Sequence, residues 1–176
     1  MRALLAATLL AFAATLPGVV RASPNDLAML TTPARADRIV VLKGERRLVL
    51  MNGESVLKIY RVALGRYPQG HKVQQGDAKT PEGTYTIDYR LDTGRSNFYR
   101  ALHISYPNAN DTARARSMGV DPGGQIMIHG LPNAWSARQV GHPELDWTQG
   151  CIALTNREID EIWRLVSDGI TVEIHP

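Results

Sequence analysis

Residues 38 to 65, RIVVLKGERRLVLMNGESVLKIYRVALG, constrain this chain more than any other stretch. Short runs of β-branched and aliphatic residues are separated by Lys43-Gly44-Glu45 and by Asn52-Gly53. Asn-Gly between two such runs marks a tight hairpin, because both central positions of a type I′ turn need positive φ. The segment predicts a meander of three strands. Further strand patterns follow at Thr84 to Tyr89, in RALHISYP, in GGQIMIHG and in the closing ITVEIHP. The best helix starts at Thr155, which with Glu158 has the spacing of a capping box. Ile159, Ile162, Trp163 and Val166 then form one apolar stripe that ends before Asp168-Gly169. One further short helix fits NANDTARARSMGVDPGG, and LPNAWSARQVGHPELDW shows no regular pattern. The expected fold is mainly antiparallel β with one or two short helices.

The N-terminus, MRALLAATLLAFAATLPGVVRASP, places one arginine before an apolar run, then a Pro-Gly break and Val20-Arg21-Ala22. That is the layout of a secretory signal peptide over residues 1–22, cleaved after Ala22. The run is shorter than the roughly 20 residues a spanning helix needs, and no later segment is long and apolar enough to span. Residues 23–36 read as a short leader or tether, and 37–176 as one domain. Two of the twenty basic residues, Arg2 and Arg21, fall in the signal, leaving eighteen against seventeen acidic ones, a formal +1. With its arginines scattered, such a chain is not expected to bind nucleic acid.

Cys151 is the one cysteine, so no internal disulfide can form and stability must come from burial. In an oxidising compartment an idle exposed thiol is a liability. A buried inert cysteine and a nucleophile are the competing readings of it. A nucleophile needs a base, a group to orient the base, and donors for the oxyanion. Gly150 and Cys151 sit at a turn leading toward the helix, where consecutive N–H groups can face one acceptor. Of the five histidines, His129 ends the apolar strand QIMIHG, where a rigid element hands a side chain to a loop. His142, beside Pro143, is the weaker competitor; His71, His103 and His175 read as solvated or half-buried residues. A zinc site built from His129, His142, Asp146 and Cys151 is the rival chemistry, but no CxxC or HExxH spacing supports it. No metal, nucleotide or flavin is expected, since the glycine-rich loop lacks the Lys-Ser/Thr ending of a phosphate cradle.

These residues resemble the L,D-transpeptidase catalytic domain, often called the YkuD domain. The resemblance rests on Ile128-His129-Gly130, on Thr148-Gln149-Gly150-Cys151 with Ile152 and Asn156 after it, and on the upstream GDAKTPEGTYTI. It covers roughly residues 38 to 175. It implies a β-sandwich of the family's type, with Cys151 as the acylated nucleophile, His129 as general base, the Gly130 carbonyl orienting the imidazole, and the Gly150 and Cys151 amides as oxyanion site. It further implies action on peptidoglycan stem peptides in the periplasm or cell envelope: attack at an L-centre next to a D-residue, release of the terminal D-amino acid, and passage of the acyl group to an amine or to water. The amine can be a diaminopimelate side chain or a lysine of an envelope lipoprotein. Thr148 and Gln149 are expected at the substrate. The family's usual histidine before the motif glycine is Gln149 here, and its usual arginine two residues after the cysteine is Ala153. Arg138, among other arginines, is a candidate replacement for holding a carboxylate. GCIALTN is also similar to the branch that hydrolyses the lipoprotein link. A wall-binding module without chemistry is the reading from a different class.

Overall fold

The computed structural model describes residues 34–176; the expected signal peptide and most of the expected tether lie outside the described residues. The predicted meander is present as β1 (Arg38–Leu42), β2 (Arg47–Asn52) and β3 (Ser55–Arg61), paired antiparallel. Its second turn differs by one position from the Asn-Gly expectation. Asn52 pairs with Ser55, so the central residues are Gly53 and Glu54, and of these only Gly53 has positive φ, at 54°. Glycine at the first central position is the type II′ pattern, which needs one left-handed residue where type I′ needs two.

β4 (Gly83–Leu91), β5 (Ala101–Ile104), β6 (Met127–His129), β7 (Ile152–Ala153) and β8 (Thr171–His175) complete a sheet of order β3-β2-β1-β8-β4-β5-β6-β7. β8 lies parallel to β1, and β7 parallel to β6; every other pair is antiparallel. β4 bends the sheet. Its first half pairs with β8, and past a register irregularity between Ile87 and Tyr89 its second half pairs with β5. A bulge of this kind increases local twist and lets one strand serve two differently inclined sheets. The sheet also meets itself: Ala63, just beyond β3, exchanges hydrogen bonds of 3.0 and 2.8 Å with Ala153 of β7. The result is a curled, sandwich-like β fold.

Alternation along the strands puts Ile39 and Val41 of β1 beside Val172 and Ile174 of β8 on the enclosed face. Among the described residues three helices accompany the sheet: α1 (Ala109–Ser117), α2 (Ala137–Val140) and α3 (Asn156–Leu165). In α3 the Thr155–Glu158 capping box is formed, and Ile159, Ile162 and Val166 are fully buried in the core with Ile128, Ile152 and Leu154. α2 lies where no regular pattern was expected; four residues are too few to show a period, and only Ser136 and Gln139 mark its start. Ala36 is already part of the fold, buried and donating its N–H to the Leu165 carbonyl at 2.8 Å.

Candidate active site

Parallel pairing of β6 with β7 sets Ile128 opposite Ile152 and His129 opposite Ala153. Cys151 immediately precedes β7, so it stands at the start of the strand that pairs with the one carrying His129. Ile128 and Ile152 are fully buried, which fixes the register.

The turn that carries the thiol is tied from three sides. Thr148 N–H donates to Leu64 O at 3.1 Å, Arg66 N–H donates to Thr148 O at 3.1 Å, and the Thr148 hydroxyl donates to Cys151 O at 2.8 Å. Gly150 has φ +131°, and a Cβ there would lie 2.5 Å from the Lys79 carbonyl oxygen, so only glycine fits. Cys151 is half-buried and lines a cleft of about 420 Å³ together with Lys72, Gln75, Gln125, Ile126 and Gln149. Its Sγ lies 3.6 Å from the Gln125 carbonyl. Burial pushes the thiol pKa up, opposed by the Met127 N–H and the Lys72 charge. The resting group is therefore a thiol, and a nucleophile made from it needs a base.

His129 has the properties of one. Its ring is fully buried, stacked on Phe98 at 3.9 Å between centroids and met edge-on by Trp147 at 5.9 Å. Nδ1 lies 2.6 Å from the Gly130 carbonyl, to which it must donate. That assigns the proton to Nδ1 and leaves the Nε2 lone pair free; Nε2 has no partner in the resting structure. Burial lowers the His129 pKa to about 4, with the Gly130 hydrogen bond opposing and the His142 charge reinforcing the shift. Gly130 is itself pressed between Tyr99 O and Asn156 Oδ1, which would lie 2.7 and 2.8 Å from a Cβ. Asn156 Oδ1 accepts the Leu131 N–H at 2.9 Å, so the first residue of α3 braces the turn that aims the imidazole.

The Gly150 N–H, expected to hold an oxyanion, donates to the Thr148 hydroxyl at 3.0 Å and is not free. Thr148, expected at the substrate, is 4 % exposed and staples the turn from inside. The thiol faces the Gln125 carbonyl and makes no hydrogen bond to the imidazole in this resting arrangement. Arg138 is exposed on α2 and does not line the cleft. The cation that does is Lys72, only 3 % exposed and held at 2.9 Å by both Gln74 O and Asp77 Oδ1. Asp77 also accepts N–H groups from Val73, Gln74 and Lys79, which knots the glycine-rich loop into the cleft wall. Gln149 lines the cleft beside Cys151.

The other histidines are engaged elsewhere. His103 Nδ1 is 2.6 Å from Asp88, His71 accepts the Glu82 N–H, and His175 is exposed at the chain end. His142 is buried with its pKa lowered by that burial, close enough for its charge to act on His129. Asp146, a member of the alternative zinc set, is taken up by Arg46 and by the Leu64 N–H.

The family model described as "L,D-transpeptidase catalytic domain" (YkuD) matches residues 36–174. A curated relative, "Putative L,D-transpeptidase YafK" of Escherichia coli K12, is 33 % identical over 137 residues, 75 % of this chain and 48 % of the relative. The chain thus spans about half the length of the curated relatives it matches. Among solved structures, the helical cell shape determining protein Pgp2 of Campylobacter jejuni superposes with a TM-score of 0.59 at 23 % identity, covering 81 % of this chain and 48 % of that one. The L,D-transpeptidase of Xylanimonas cellulosilytica gives 0.54 at 14 % identity, covering 87 % and 70 %. With the family model spanning residues 36–174, nearly all of the described domain, the chain belongs to the YkuD L,D-transpeptidase catalytic domain family.

Proposed function

We propose that this chain is an exported cysteine enzyme of the cell envelope that acts on peptidoglycan stem peptides through a thioester acyl-enzyme. One observation carries the reading: a cleft-lining thiol stands at the start of the strand paired with the one that carries a buried imidazole, and that imidazole keeps an unpaired Nε2 because Gly130 occupies Nδ1.

In the proposed reaction a stem peptide lies in the cleft with the carbonyl of its L-centre over Sγ. Rotation of the Cys151 side chain away from Gln125 O brings the thiol to Nε2, which takes its proton as sulfur attacks. The Cys151 N–H, with no partner among the described residues, faces the developing oxyanion. The His129 imidazolium then gives its proton to the departing D-amino acid. An incoming amine restores the thiol by forming a new amide, and water does so by hydrolysis; both use the same thioester. Export rests on the N-terminal leader pattern. Among the described residues no helix is long and apolar enough to cross a membrane. The name of Pgp2 concerns cell shape, which is compatible with a role in wall remodelling.

The test is digestion of purified sacculi with the protein, followed by chromatography of the muropeptides. New cross-linked dimers identify transfer. Shortened stems or released lipoprotein remnants identify hydrolysis. A profile identical to that of Cys151→Ala contradicts an enzymatic function.

A further inference from the structure

A second concavity, of about 610 Å³, is lined by Arg46, Arg66, Tyr67, Gln69 and Lys79 with Gly44 and Pro68. No acidic residue lines it. The Arg46 guanidinium is already held by Asp146 at 2.8 Å. Arg66 and Lys79 have no ion-pair partner among the described residues. Beside them the Tyr67 ring is 66 % exposed. Two unpaired cations and an open aromatic face in one hollow match a ligand that carries carboxylates on an organic frame.

Position links this groove to the thiol. Arg66 donates its own N–H to Thr148 O, and the Lys79 carbonyl packs against Gly150, so both cations hang from backbone that touches the Thr148–Cys151 turn. The strand end between them is tightly wedged: a Cβ on Gly65 would lie 2.3 Å from Ala78 O and 3.1 Å from the Gly150 Cα. The groove is therefore built against the same backbone turn that carries Cys151.

We propose that this groove is an acidic-peptide subsite: Arg66 and Lys79 hold carboxylates of a stem peptide whose reacting carbonyl lies at Cys151, or of the peptide that accepts its acyl group. The inference rests on the proposed function and extends it to residues that the family motif does not include. It gives this chain a carboxylate anchor in place of the arginine missing at Ala153.

The test uses Cys151→Ala protein, so that binding is read without turnover, and a synthetic stem tetrapeptide titrated by calorimetry. Arg66→Gln with Lys79→Gln weakens binding by about tenfold or more, since two partly exposed charge contacts together contribute on the order of 1.4 kcal/mol. Amidating the peptide carboxylates has a similar effect on the parent and little on the double variant, and the charge-conserving pair Arg66→Lys with Lys79→Arg retains most of the affinity. Equal affinity in parent and double variant, or no measurable binding to the parent, overturns the subsite. Acylation of otherwise wild-type protein by a small electrophilic β-lactam reads the thiol independently. Normal acylation with unchanged peptide affinity in the double variant sinks the groove alone, and a silent thiol with charge-dependent peptide binding sinks the enzymatic reading alone.

Discussion

At His129, structure and chemistry pull against each other, because a fully buried imidazole with an unsatisfied nitrogen destabilises the fold while keeping a lone pair available. Its ordinary pKa near 6.5 falls to about 4 in the folded protein, so between these values the unfolded chain binds more protons than the native one. The stability that the neutral ring allows is complete above about pH 6.5 and is lost as pH falls toward 4, an effect on the order of 3 kcal/mol. Urea denaturation should show wild type losing stability relative to His129→Phe by about that amount between pH 7 and 4; a constant gap would mean the ring is not buried neutral. Gly150 gives a second residue-scale prediction. Gly150→Ala forces a Cβ against Lys79 O at a φ of +131°, and should cost about 1–3 kcal/mol in denaturant midpoint analysis while slowing acylation of Cys151.

α3 is the element that couples the core to the site, since its stripe fills the curled sheet while Asn156 braces the Gly130–Leu131 turn. Thr155→Ala removes the cap and should cost about 1 kcal/mol; Ile159→Ala leaves a cavity at a fully buried position and should cost about 2–5 kcal/mol, both read from urea melts. This helix and the β1–β3 meander were legible in the sequence because their signals are local: a capping box, a 3.6-residue stripe, and strand runs broken by Asn-Gly. The same locality explains what was missed. α2 is a single turn, and the hairpin turn shifted by one residue to suit Gly53. Lys72 and Asp77 stood in plain view, but their place in the cleft wall depends on contacts between distant segments. The motif identified Thr148 and Gly150, yet no spacing reveals that the hydroxyl of one occupies the amide of the other.

For the whole molecule, the sheet's closure on itself at Ala63 and Ala153 ties the strand carrying His129 and the turn carrying Cys151 into one hydrogen-bonded unit. Such a scaffold positions Cys151 and His129 without an internal disulfide, which a chain with one cysteine cannot form. The central claim is that Cys151 becomes acylated with His129 as its base. It is tested most directly by intact-mass kinetics of the protein with a carbapenem, comparing wild type with Cys151→Ala and His129→Ala at neutral pH. The account predicts a single covalent adduct on wild type, none on Cys151→Ala, and formation slowed by about 10²–10⁴-fold in a still folded His129→Ala protein. Adduct formation at the wild-type rate in His129→Ala, or none on wild-type protein whose thiol reacts with other electrophiles, would contradict it.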